Sequence, residues 1–384
     1  MLNQKELEKA IDQLMLRFEE VNRFFVAKIA AQIKKIGELN QSSINRLTLM
    51  ADMNFDMAEI NRRLADAVNM STADLFRIYN TALNDVYTDP NFSRVIQQTP
   101  LTPPQQGRLN QYAQSVSLQT AGTIQNLSNT TATSQVYREA VDKAVLAVSS
   151  GLTDYKSATR EIVRDLGYNG MQVHYESGYH RRLDTAVRQN IIDGANQIAQ
   201  NGSILMGEML GFDAYEISAH ARSAPDHEPV QGRVFLKADF ENMQKGLPFR
   251  DIDGTMYQPF RRPIGEWNCM HIAMSFSTQH SVRRYTDQQL AQWKADNNAG
   301  CEIDGKHYTI YQATQLMRQI ETEVRRQKDT ANAARQAGDD VLRQQCQKKI
   351  NALGAKYAQV VQASGLTARK DRMTVEGFRA VKVK

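Results

Sequence analysis

Between residues 5 and 36 the apolar side chains Leu7, Ile11, Leu14, Phe18, Val21, Phe25, Ile29 and Ile33 recur every three or four positions. That spacing places them on one stripe of a single long α-helix, since neighbours on a 3.6-residue turn lie at i+3 and i+4. Such a helix is marginal alone in water, so other elements must cover its stripe. This one feature commits the chain to helix packing before any other residue is read.

The same texture continues through the first half. Ser42 or Ser43 is placed to cap a second helix carrying Ile44, Leu47 and Met50, and Ser71, with Asp74 three residues on, to cap a third. That helix runs to about Val86 and stops before Pro90. The segment QQTPLTPPQQG, 97–107, reads as a Pro-rich linker. It separates an N-terminal helical region, 1–96, from a second one, 108–167, with helical patterns at 108–127, 134–149 and 155–166.

At 168 the pattern changes. Met171 to Tyr175 alternates like a strand, and a helix spans about Arg181 to Gln200, with a stop signal at Asn201-Gly202. In 213–221, Tyr215, Ile217 and Ala219 share one strand face, and Glu216, Ser218 and His220 the other. GRVFLK is a second strand and NCMHIAMSF a buried one. The expectation is a loop-rich α+β module over 168–285, then a C-terminal helical region, 286–365, with Gly338 between two antiparallel helices, and a basic tail, 366–384. The fold class is mostly α with a small α+β module, long N-terminal and C-terminal helices flanking the mixed domain.

The chain has 41% hydrophobic residues and 9 prolines, a composition that folds. Cys269, Cys301 and Cys346 are odd in number and far apart, which argues for a reducing compartment rather than a disulfide framework. Cys301 and Cys346 read as inert. The first residues lack a signal-peptide pattern, and no run approaches the ~18 apolar residues of a membrane span. Synthesis in the cytoplasm, with no membrane span, is the expectation. The net charge of +5 is mild, but the tail holds six basic residues against two acidic. Arg369, Lys370, Arg372, Arg379, Lys382 and Lys384 are therefore candidates for contact with DNA or an acidic partner. The Arg and Lys residues of 318–349 read as a solvated face.

Only 7 histidines are present, and two of them, His220 and His227, flank Arg222 in SAHARSAPDHEPVQGRVF, 218–235. A second cluster, GEWNCMH at 265–271, adds Cys269 and His271. Three chemistries compete for this set. His220, His227, Cys269 and His271 make a CysHis₃ set that suits zinc, with Cys269 and His271 on one strand face. A thiol beside an imidazole, or two histidines with Arg222, can instead serve a hydrolase or nuclease. The third reading is a hydrogen-bonded structural knot of Ser218, His220, Arg222, His227, Gln231, Gly232, Trp267, Asn268, Cys269 and His271, with Gly232 in a turn needing positive φ. His174 and His180 read as surface or helix-entry residues.

Taken together, the two clusters resemble the phage minor capsid protein 2 family, among phage head morphogenesis proteins alongside the Mu F-like and SPP1 gene 7-like groups. The resemblance rests on Ser218, His220, Arg222, His227, Gln231, Gly232 and Phe235, then Gly265, Trp267, Asn268, Cys269 and His271. Tyr175, Ser177, Gly178 and Arg188 fit upstream. Met270, Val230 and Gln189 depart from the family's Arg, Trp and Thr. The resemblance implies a structural, low-copy head protein of a tailed bacteriophage. Its expected place is inside the head at the portal vertex, with the portal protein, other capsid proteins and packaged DNA as partners. From the cluster itself the expectation is no enzyme and no required cofactor, with a nuclease or Cys/His-dependent hydrolase using His220, Arg222, His227, Cys269 and His271 as the alternative and zinc as the candidate metal.

Overall fold

The computed structural model describes residues 4–38, 46–131, 133–149, 155–260, 262–265, 269 and 271–383. Ser42, Ser43, Ile44, Trp267, Asn268, Met270 and Lys384 lie outside the described residues. The fold is mostly α with a small sheet component.

The helical body comprises α1 (Gln4–Gly37), α2 (Arg46–Tyr87), α3 (Pro90–Gln98), α4 (Pro103–Asn129), α5 (Thr133–Ser149) and α6 (Tyr155–Asn169). A hairpin of β1 (Gln172–His174) and β2 (His180–Arg182) then leads into α7 (Leu183–Met209). The mixed module holds β3 (Ala214–Ile217), β4 (Val234–Leu236), α8 (Lys237–Gln244), β5 (Phe249–Arg250), β6 (Met256–Tyr257) and β7 (Ala273–Phe276). The chain closes with α9 (Asp287–Ala299), β8 (Cys301–Ile303), β9 (Lys306–Tyr308), α10 (Ile310–Ala337) and α11 (Asp340–Ser364).

The stripe on α1 forms as the spacing requires: Ile11, Leu14, Phe18, Val21, Phe25, Ile29 and Ile33 are all 5% exposed or less. What covers them is the rest of the same chain. α1 packs against α2, α5, α6 and α7, and against α10 from the far end of the sequence. α10 buries large residues, Met317, Ile320 and Val324, in a core shared with α11, and small ones toward its C-terminal end. Ala331, Ala333 and Ala334 are buried in the main core. Gly167 on α6 sits so close to the Thr330 backbone that a Cβ there would collide with it. The flanking helices are thus one packed body rather than free rods.

Packing also overrides several local signals. Ser71 caps nothing: α2 runs on through it, and its hydroxyl donates to the Ala67 carbonyl one turn back (2.6 Å). Asp74 instead pairs with Arg17 of α1 (2.5 Å). The continuous buried row Leu64, Val68, Leu75 and Ile78 holds α2 together where the cap signal would end it. The Pro-rich break shrinks to 99–102, because Pro103 and Pro104 open α4, where a missing N–H costs no helical bond. α7 passes the Asn201-Gly202 stop signal and ends at Met209. Gly202 is buried with Leu83 and Val86 of α2 so near that an added Cβ would reach van der Waals contact with them, and Ser203 Oγ accepts from Ser275 N of β7 (2.8 Å). The β8–β9 hairpin was not anticipated, although its turn, Asp304 (φ 53°) and Gly305 (φ 71°), is an Asp-Gly pair suited to a two-residue hairpin.

Gly338 does separate α10 from α11, in the left-handed conformation (φ 71°). The next residue, Asp339, accepts from Leu342 N as the α11 cap (2.9 Å) and pairs with Arg160 Nε of α6 (2.7 Å). Asp339→Ala removes both roles. We expect it to cost about 1–2 kcal/mol in urea unfolding, whereas Asp340→Ala, at an exposed first-turn position, should cost less than half as much.

Candidate functional site

β3 is the middle strand of the module's sheet, antiparallel to both β4 and β7, with Ile217 opposite Ala273. The loop leaving β3 and the loop entering β7 therefore emerge at one end of the sheet. That topology brings 218–235 onto 269–271. Ser218 N donates to Ile272 O (2.9 Å) and Ile272 N donates to Ser218 Oγ (2.9 Å), extending the strand contact by one residue. Gly232, at φ 67°, returns the loop so that its N–H donates to Ile217 O (2.8 Å), and a side chain there would meet Leu290. His220 N donates to Gln231 Oε1 (3.1 Å), closing the loop across its neck.

Inside this frame His227, Cys269 and His271 meet in the module's interior. His227 Nδ1 lies 3.1 Å from Cys269 Sγ, and His271 Nδ1 lies 3.7 Å from the same sulfur. His227 Nε2 is 2.6 Å from the Arg262 carbonyl oxygen. A carbonyl only accepts, so Nε2 carries the ring proton. His271 Nε2 is 3.2 Å from Ser223 Oγ, whose own hydroxyl donates to Ala224 O (3.2 Å). His271 is therefore the same tautomer, and both Nδ1 lone pairs face the sulfur. His220 stacks on His271 with ring centroids 4.5 Å apart.

The convergence does not come from strand alternation. β7 begins at Ala273, so Cys269 and His271 lie in the loop before it. Arg222 is exposed, and its backbone rather than its guanidinium bonds the His220 ring. His174 and His180 are exposed and paired across the β1–β2 hairpin, and Arg188 of α7 pairs with Asp12 of α1 (2.5 Å). Cys301 and Cys346 are buried free thiols.

Burial sets the charge state. It pulls His271 well below the ordinary imidazole range, with His220 and His227 adding to the effect. It lowers His227 and takes His220 down to about 4, and it pushes the Cys269 thiol up. At neutral pH the set is a thiol among neutral imidazoles. A nucleophilic cysteine needs the opposite arrangement, a thiolate beside a cation in an accessible site. His227→Ala should therefore act on stability first. It removes the ring donor to the Arg262 carbonyl and the nearer imidazole from the thiol and opens a void, at about 2–3 kcal/mol. The check is a thermal melt run beside DNA and peptide hydrolysis assays. The expected result is a lowered Tm with no turnover lost.

The basic tail is folded back on the body. Leu366 and Val375 are buried, Lys328 Nζ donates to Met373 O (2.7 Å), and Val381 N donates to Gln347 Oε1 (3.1 Å). Arg369 pairs with Asp371 (3.0 Å) and approaches Asp12 (4.0 Å), and Arg372 approaches Glu321 (3.9 Å). Among the described residues of the segment, Lys370, Arg379 and Lys382 are the exposed cations.

Two features escaped the sequence reading. Ser223 is the outer partner of His271. Glu216, read only as a strand-face residue, is completely buried and pairs with Arg284 (2.5 Å), which also holds Asp89 (2.6 Å) at the start of α3. Beside it, Asn91 accepts from Val282 N (3.1 Å) and donates to Val282 O (3.2 Å). These contacts lock the module onto the helical body.

No helix among the described residues is long and apolar enough to cross a membrane. No curated protein and no solved structure matches the chain. The family described as phage minor capsid protein 2 matches residues 2–362, through both helical flanks as well as the module. The chain belongs to the phage minor capsid protein 2 family and is, with it, a structural component of the phage virion.

Proposed function

We propose that this capsid role is exercised at the portal vertex, inside the head, where the helical body docks on the portal protein and the tail meets an anionic surface. The observation that carries the reading is the extent of the family match, residues 2–362. Helices and module are one inherited unit, joined where α7 packs on β7 and through a buried ion cluster, as suits a part that is fitted whole into a larger assembly. The body also offers apolar side chains to a partner: Phe55 on α2 is 74% exposed and Leu146 on α5 69%. Lys370, Arg379 and Lys382 suit packaged DNA or an acidic protein face, both of which they would meet by counterion release and charge complementarity.

The test is co-expression with the portal protein from the same phage, followed by size exclusion. Co-elution at low and moderate salt is expected. Elution of the two proteins as separate species under all conditions would overturn the portal assignment. Replacing Lys370, Arg379 and Lys382 with Glu should weaken retention on immobilised duplex DNA or on the portal, and the surface affected identifies the anionic partner.

A further inference from the structure

The arrangement around Cys269 has the form of a metal site rather than of a hydrogen-bonded knot alone. Ligand atoms from His227, Cys269 and His271 lie within 4.8 Å of one another, and all three residues are buried. Tetrahedral zinc, with Zn–S about 2.3 Å and Zn–N about 2.0–2.1 Å, sets sulfur and nitrogen ligands about 3.5 Å apart. The two observed Sγ···Nδ1 separations, 3.1 and 3.7 Å, bracket that spacing.

The outer contacts point the same way. Each imidazole gives its Nε2 proton to an oxygen outside the cluster, the Arg262 carbonyl for His227 and the Ser223 hydroxyl for His271. This is how metal-ligating histidines are oriented, with the second nitrogen left to coordinate. A hydrogen-bonded knot leaves a mismatch instead. One S–H proton faces two Nδ1 lone pairs, so it can satisfy only one of them. A cation satisfies both nitrogens and the sulfur. His220 adds a second irregularity, since its Nε2 is buried with no hydrogen-bond partner while its ring stacks on His271.

We propose that His227 Nδ1, Cys269 Sγ and His271 Nδ1 bind one zinc ion, with the His220 ring stacked on the His271 ligand. Binding releases the Cys269 proton to solvent and leaves a neutralised thiolate on the metal. The ion ties the loop after β3 to the loop before β7, so its role is to hold the module closed.

The experiment uses the full-length protein, stripped with chelator and desalted, then titrated separately with Zn²⁺ and Co²⁺. One equivalent of either metal per chain is expected, with a higher Tm in zinc and a thiolate-to-cobalt charge-transfer band in the cobalt form. Cys269→Ser should abolish that band. Should this variant fail to fold, the Cys301→Ser/Cys346→Ser double variant decides, because Cys269 is then the sole thiol and the band must persist. Folded wild-type protein that retains no metal after desalting overturns the proposal. So does a charge-transfer band that survives Cys269→Ser or disappears in the double variant.

Discussion

Arg284→Ala is expected to destabilise the protein by about 3–5 kcal/mol, the range for removing one partner of a buried ion pair. The guanidinium serves two carboxylates at once. Its Nη1 bonds Glu216 at 2.5 Å and its Nη2 bonds Asp89 at 2.6 Å, while Arg284 N donates to the second Glu216 oxygen at 2.8 Å. Glu216 is completely buried in β3, and burial pushes its carboxyl up from the ordinary range against the pull of Arg284. Without the arginine, that carboxyl must either ionise unpaired or take up a proton. Urea unfolding followed by tryptophan fluorescence reads the loss, since Trp293 lies in α9 beside the module. Because the cluster joins the module to the start of α3, the variant should also split a single transition into two. A change below about 1 kcal/mol would show that the ion cluster does not fasten the two parts.

Phe25→Ala is the second large effect, at about 3–5 kcal/mol for an aromatic side chain removed from a core. Phe25 is fully buried on α1, the helix that touches α2, α5, α6, α7 and α10. The void opens where the two ends of the chain meet, and the surrounding helices cannot collapse into it without shifting one another. Phe55→Ala is the matched control. With Phe55 74% exposed, its loss should change stability by no more than about 0.5 kcal/mol. Portal docking through the helical body predicts that the pair separates cleanly, Phe25→Ala lowering Tm and Phe55→Ala lowering portal retention alone.

How much of this could be read in advance depended on the distance over which each signal acts. The α1 stripe was legible because it is periodic and its residues are neighbours on one helix. The extent of α2 was not, because Ser71 and Asp74 carry a local cap signal while the decision is made by packing on α1. Gly202 illustrates the same conflict in α7. As a helix stop it is a local cue, and as a point of contact with α2 it is tertiary. The Asp304-Gly305 turn was present in the sequence as a hairpin signal, but the strong helical pattern of α10, immediately after it, obscured the two short strands.

The candidate site was legible as a set of residues and not as a geometry. His227, Cys269 and His271 could be named, yet the orienting groups, Ser223 and the Arg262 carbonyl, have no sequence signature. Arg222 stood out by its position between histidines, but the loop turns it outward. The Glu216–Arg284–Asp89 cluster could not be anticipated: its members are 68 and 195 residues apart, and only the packed module brings them together. The tail read as a basic segment for an anionic partner, and composition says nothing of Leu366 and Val375, which anchor it to the body.

The most direct measurement of the central assignment is the amount of this chain in phage heads purified from infected cells, compared between wild-type phage and a mutant lacking the portal protein. A role at the portal vertex predicts a small, fixed copy number in wild-type heads and none in heads assembled without a portal. Equal amounts in both, or a copy number that tracks the major capsid protein, would contradict it.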